Sequence, residues 1–215
     1  MVNALDALNR LREGNRRFVA NQTVAATLSH AARRAALVDG QEPFAIILGC
    51  SDSRVPAELV FDQGFGDLFV IRVAGNIVAP SQVGSVEFAA SRFGTRLVVV
   101  LGHSQCGAVV ATLEELQGHA ATPSSNLRSI VERVRPSVEP LLLHSRDATP
   151  EALVRDAVRA NVRASVNHLQ HGSELLERLI DEAGLLVVGA EYSLDTGVVE
   201  FFENVPAQPA LPVQR

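Results

Sequence analysis

The chain has 215 residues, 47% of them hydrophobic and 20% charged, with a net charge of −5. It is long enough to bury a full core without covalent staples, and it lacks the basic excess that would favour nucleic acid or an anionic membrane. No apolar run approaches a membrane span and the start MVNALDALNRLREGNRRF is amphipathic rather than signal-like, which points to a cytoplasmic protein; with only two cysteines, Cys50 and Cys106, a disulfide framework is excluded.

Leu5, Leu8, Leu11 and Phe18 recur at helical spacing among charged residues, so residues 4–19 form an amphipathic helix. It precedes the first strand by more than twenty residues, and its apolar stripe is expected to pack across a dimer. Three aliphatic runs follow, FAIILG at 44–49, LFVIRV at 68–73 and RLVVVLG at 96–102, and LLVVGAEY comes at 185–192. Continuous Val, Ile and Leu, rather than alternation, marks strands covered on both faces. Helical patterns separate them: QVGSVEFAASRF at 82–93, CGAVVATLEELQ at 106–117 and a long tract from about 124 to 183. TPSSNLRSI and SRDATPEAL carry helix-start signals within or beside that tract. Strand and helix in alternation predict an α/β fold, a parallel sheet of about four strands flanked by helices.

No domain boundary or repeat is visible. The expected organisation is one domain over 1–215, with a helical arm at about 1–40, an α/β core at about 41–205 and an extended proline-containing tail at 206–215.

In open parallel sheets, ligands bind beyond the carboxyl ends of the strands. Cys50 and Asp52, in GCSDSR, leave the first strand there; His103 and Cys106, in GHSQCG, leave the third. Two sulfurs, one imidazole nitrogen and one carboxylate oxygen, if convergent, suit tetrahedral zinc. Each residue also has a plainer reading: a buried small hydrophobe for either cysteine, a hydrogen-bonded structural histidine, a helix cap for the acid. A Cys50–Cys106 disulfide is the geometric alternative, disfavoured in a reducing cytosol.

CSDSRV followed by GHSQCGAV resembles the signature pair of the β-class carbonic anhydrases, and the resemblance spans nearly the whole chain, including RVAGNIV, GSVEFAA and EYSLDTGVVEF. It implies an α/β domain with a four-stranded parallel core, assembled as dimers or tetramers with the active site at the dimer interface. It further implies zinc held by Cys50, His103 and Cys106, with Asp52 as fourth ligand in a closed form. The implied reaction is reversible hydration of carbon dioxide to bicarbonate and a proton by attack of zinc-bound hydroxide, a carbonate dehydratase (lyase) activity. In the family an Asp–Arg dyad gates the metal, here Asp52 and Arg54.

The chemistry agrees with these residue types. Zinc lowers the pKa of bound water towards neutrality, but two thiolates cancel its charge, so activity should favour alkaline pH. Arg54 can hold the Asp52 carboxylate by a bidentate pair and draw it off the metal. Gly107, following Cys106 at a helix start, offers a backbone N–H to an oxygen of bicarbonate, or is simply a small residue in a tight turn.

The resemblance also assigns the carbon dioxide pocket to Gln41, Phe69 and Phe88, the last standing where plant-type members carry tyrosine. An inhibitory bicarbonate site of tryptophan, arginine and tyrosine, found in another group of the family, maps onto Ile47, Arg72 and Tyr192, so its tryptophan is missing. Arg72 equally reads as a structural charge. GFGDLF at 64–69 is a turn rather than a nucleotide loop, and His168 and His171 read as solvated residues on a helix surface. Two other functions compete: hydrolysis of carbonyl sulfide or carbon disulfide on the same scaffold, and a non-catalytic zinc or bicarbonate-sensing protein, which would not need a gate.

Overall fold

The computed structural model describes residues 2–24, 30–144 and 149–207. Helix α1 (Ala4–Val19) is capped by Asn3, whose side chain accepts from the Asp6 N–H. Its buried stripe, Ala4, Ala7, Leu8, Leu11, Gly14 and Asn15, lies against the chain's own core. Leu8 and Leu11 are therefore used within the chain, whereas Leu5 stays 49% exposed. At Gly14 the helix backbone touches the protein so closely that an added Cβ would sit 1.8 Å from the Phe61 carbonyl oxygen. Asn15 fixes the contact through three hydrogen bonds. Its Nδ2 donates to the Val60 and Gly197 carbonyls at 3.1 and 2.8 Å, and its Oδ1 accepts from the Val199 N–H at 2.8 Å.

A short helix α2 (Ala31–Ala36) leads to β1 (Ala45–Gly49), followed by α3 (Ala57–Val60), β2 (Leu68–Arg72), a 3-10 turn at Ala74–Asn76 and α4 (Pro80–Arg92). Then come β3 (Leu97–His103), α5 (Gly107–Leu116), α6 (Ser125–His144), α7 (Pro150–His171), α8 (Glu174–Ala183), β4 (Leu186–Tyr192) and β5 (Val199–Glu203). The sheet order is β2-β1-β3-β4-β5. The first four strands are parallel, as their aliphatic runs imply, and β5 pairs antiparallel with β4. This fifth strand was not expected. Its sequence VEFFE is short and mixed, and it returns through the turn at Ser193–Val198, where Gly197 has φ 75°.

The expected helical tract to residue 183 is three helices. Thr149 caps α7 as its sequence suggests, accepting from the Ala152 N–H at 3.3 Å; the further break comes at Gly172, with Ser173 capping α8. The proposed tail lies largely outside the described residues.

β1 is buried throughout. Ala45 and Ile47 face a core shared with α1 and α3, while Ile46 and Leu48 face one built from α4, α7 and α8. A third apolar cluster closes the carboxyl ends of β1 and β3, gathering Cys50, Ile77, Cys106, Val109, Leu113, Val134, Val138, Ala157 and Val158. Gly49 lies opposite Arg72 on one side and Leu101 on the other, so the segments leaving β1, β2 and β3 emerge together.

Candidate metal centre

Three elements deliver the central side chains. Cys50 follows β1, His103 ends β3 and Cys106 immediately precedes α5. Their ligand atoms all lie within 4.8 Å of one another, and the residues are 6%, 0% and 1% exposed. Both cysteines are free thiols, so the disulfide alternative is not realised.

His103 Nδ1 is 2.9 Å from the Ser104 carbonyl oxygen, which can only accept; Nδ1 therefore carries the proton and Nε2 presents a lone pair. That Nε2 is buried without a hydrogen-bond partner. A buried acceptor left unsatisfied beside two sulfurs is costly unless something binds it. The donor set, two sulfurs and an imidazole nitrogen in an apolar surround, fits zinc.

The two thiols share one negative charge. Cys50 is lowered to about 4, chiefly because the Cys106 thiol hydrogen-bonds its sulfur; the Gly75 N–H, 3.4 Å away, contributes further. Cys106 is driven upward by the same hydrogen bond and by burial. A cation between the sulfurs would remove this conflict.

Asp52 stands at the rim. Its Oδ2 accepts from Arg54 Nη2 at 2.7 Å and its Oδ1 from Arg54 Nε at 2.9 Å, a bidentate pair. Oδ1 also accepts the Arg54 backbone N–H at 2.9 Å, so the capping tendency of the acid appears as a local turn rather than as a cap on α3. Oδ2 lies 3.9 Å from His103 Nε2. The Arg54 hydrogen bonds hold the carboxyl well below the usual carboxylate range, and they raise Arg54 in return.

Gly107 opens α5 and is exposed, and an added Cβ would meet nothing within 4 Å. Its φ is not in the left-handed region, so the turn itself does not demand glycine.

The expected pocket residues are not brought to the cluster within one chain. Gln41 precedes β1 and Cys50 follows it, at opposite ends of the strand. Phe69 pairs with Ile46 near the start of β2; with Phe88 and Phe93 it forms an aromatic group, ring centroids 6.2 Å apart for Phe69–Phe88, and Phe88 is 54% exposed.

Of the three positions of the inhibitory site, Ile47 on β1 and Tyr192 at the end of β4 are buried members of one apolar cluster. Arg72 instead hydrogen-bonds backbone, through Nε to the Cys50 carbonyl at 3.0 Å and Nη2 to the Asp52 carbonyl at 2.6 Å. Gly64–Asp67 of GFGDLF form a turn closed by Gly64 N–H to Asp67 Oδ2 at 2.9 Å, its last two residues beginning β2, and His168 and His171 are exposed on α7.

The residue-by-residue sequence reading missed the supports: Arg72 on the two carbonyls, the Gly75 N–H on the Cys50 sulfur and the Ser104 carbonyl on His103. One signal was available. Gly75 sits at φ 69° in the run RVAGN, and a glycine just beyond a strand end marks a tight turn or a close backbone approach.

A family profile described as carbonic anhydrase matches residues 45–199. Carbonic anhydrase 2 of Mycobacterium tuberculosis is 41% identical over 198 residues, covering 91% of each chain. The carbonic anhydrase of Mycolicibacterium smegmatis is 40% identical over 198 residues, covering 92% of this chain and 93% of its own. Among solved structures, the β-carbonic anhydrase CafA of Aspergillus fumigatus superposes with a TM-score of 0.74 at 25% identity, over 91% of this chain and 93% of its own. With the fold, the two motifs and nearly full-length relatives in agreement, the chain belongs to the β-class carbonic anhydrases.

Proposed function

We propose that this carbonic anhydrase holds zinc through Cys50, His103 and Cys106 and hydrates carbon dioxide reversibly at that site, with the Asp52–Arg54 pair controlling access. The observation that carries the reading is the unpartnered His103 Nε2, buried between two free thiols. When bound, zinc supplies a Lewis acid that makes water acidic enough to yield a nucleophile near neutral pH.

The residues do the rest. The Ser104 carbonyl fixes the tautomer and orientation of His103. Arg54 holds the Asp52 carboxylate to one side, still charged and within reach of the donors, where its free lone pairs can accept a proton-bearing group and orient it. The exposed N–H of Gly107, at the positive end of α5, suits an anionic bicarbonate oxygen. The apolar cluster beneath the thiols limits water on the buried side.

Gln41, Phe69 and Phe88 would then form the carbon dioxide pocket of a second copy, because none of them reaches the cluster of its own chain. Exposed Phe88 on the outer flank of the sheet supports that dimer. The test is stopped-flow hydration of carbon dioxide by native, metal-stripped and zinc-restored protein. Activity should vanish on stripping and return with zinc; turnover unchanged by stripping would sink the reading. Carbonyl sulfide and carbon disulfide as parallel substrates decide whether the pocket prefers sulfur analogues.

A further inference from the structure

We propose that Arg72 is a positioning residue that holds the Cys50–Asp52 segment in place, keeping the Asp52 carboxylate beside Arg54 and away from the metal position. The inference rests on the reading that the Cys50–His103–Cys106 cluster binds the metal and that Asp52 competes for it.

Arg72 is the last residue of β2, directly opposite Gly49. Its guanidinium uses two donors on one edge, Nε to the Cys50 carbonyl at 3.0 Å and Nη2 to the Asp52 carbonyl at 2.6 Å. A planar fork can span carbonyls two residues apart, whereas a lysine ammonium reaches them only as a point charge. The Asp52 carbonyl also takes the Val55 N–H at 3.1 Å, so the backbone that projects both the thiol and the carboxylate is gripped from two directions.

The segment that follows Arg72 serves the same loop. The Val73 N–H donates to the Gly49 carbonyl at 3.1 Å and the Gly75 N–H to the Cys50 sulfur at 3.4 Å. That segment is itself held by α7, through Asn161 Nδ2 to the Gly75 carbonyl at 2.7 Å and Ser165 Oγ to the Asn76 carbonyl at 3.0 Å. Arg72 is thus the side-chain member of a backbone cradle anchored to α7.

The position matters because little separates the two placements of the carboxylate. Asp52 Oδ2 is only 3.9 Å from His103 Nε2, so a small drift of the loop suffices to bring it among the donors. Arg54 cannot prevent this alone. Its side chain is half-exposed and sits on the same loop, so it moves with Asp52, whereas Arg72 anchors that loop to a strand. Two of the guanidinium's five donors are thereby taken by the backbone.

The test uses full-length protein loaded with cobalt(II), whose thiolate-to-metal absorption reports binding at the cluster, and azide as a probe of the open coordination position. Azide affinity is measured for the parent, Arg72→Met, Arg72→Lys, Asp52→Asn and the Arg72→Met/Asp52→Asn double variant. Arg72→Met should keep the cobalt absorption and weaken azide at least about tenfold, with Arg72→Lys between it and the parent. In the Asp52→Asn background, Arg72→Met should change azide affinity by less than about twofold, since the competing carboxylate is gone. Equal weakening in both backgrounds, unchanged azide affinity in Arg72→Met, or cobalt lost from Arg72→Met alone would each overturn the proposal. Absence of thiolate-to-cobalt absorption in the parent would instead remove the metal assignment on which it rests.

Discussion

Asp52 and Arg54 face each other through two parallel hydrogen bonds, Oδ2 to Nη2 at 2.7 Å and Oδ1 to Nε at 2.9 Å, with Oδ2 3.9 Å from the unpartnered His103 Nε2. The carboxylate is therefore placed between the Arg54 guanidinium and a donor cluster that could hold a metal ion.

Replacing Arg54 with alanine tests that balance. Arg54 depresses the Asp52 pKa, so the folded carboxyl stays ionised well into acid. Removing the guanidinium lets the pKa rise towards its ordinary value near 4, which still leaves a carboxylate at neutral pH. What changes is its partner. Arg54→Ala should retain zinc, lose at least about tenfold in kcat/KM near pH 7 and show its activity rise displaced to higher pH, because hydroxide gains tenfold per pH unit against the carboxylate. A parent-like pH–rate profile at full zinc content would show that the pair does not control the site.

Cys106→Ser should lose zinc and carbon dioxide hydration together. Serine keeps the size but not the acidity needed for an anionic ligand, and the apolar cluster offers no substitute donor. Zinc content by elemental analysis, read beside the hydration rate, checks this. Full zinc and full rate in the variant would exclude Cys106 as a ligand.

Bicarbonate should inhibit without cooperativity. Ile47 is buried and provides no indole N–H, so an anion bound there would lack that donor, and two of the five Arg72 donors are already taken by the Cys50 and Asp52 carbonyls. Initial rates over a bicarbonate series give the answer; a sigmoidal loss of activity would mean that an anion site forms despite Ile47.

Gly14→Ala should destabilise the protein without touching the cluster. The new methyl would sit 1.8 Å from the Phe61 carbonyl oxygen, so α1 must shift and loosen Leu8, Leu11 and the three hydrogen bonds of Asn15. A loss of about 2 kcal/mol or more is expected from overpacking. Urea denaturation at one fixed protein concentration measures it, and an unchanged midpoint would mean that the helix accommodates the methyl elsewhere.

The strands and α1 were legible because burial on both faces demands unbroken Val, Ile and Leu and because Leu8 and Leu11 repeat at the helical period; Ala4–Val19 is the span the spacing predicts. The cluster was legible because strand ends converge in a parallel sheet, which brings Cys50 beside His103 and Cys106 however far apart they are in sequence. β5 was not, since VEFFE has neither a long aliphatic run nor clean alternation. Arg72 was ambiguous for a different reason: its partners are backbone carbonyls, which leave no trace in residue type. Gln41, Phe69 and Phe88 came only through the resemblance, and within one chain they lie away from the cluster.

The central claim is that the zinc of this enzyme is held by two cysteines and a histidine at the ends of β1 and β3. Zinc-edge X-ray absorption of active protein near pH 8 tests it most directly. The account predicts a shell of about two sulfurs near 2.3 Å and nitrogen or oxygen ligands near 2.0 Å, with the sulfur shell reduced in any Cys106→Ser protein that can be loaded. A fully active sample whose zinc has only nitrogen and oxygen neighbours would contradict it.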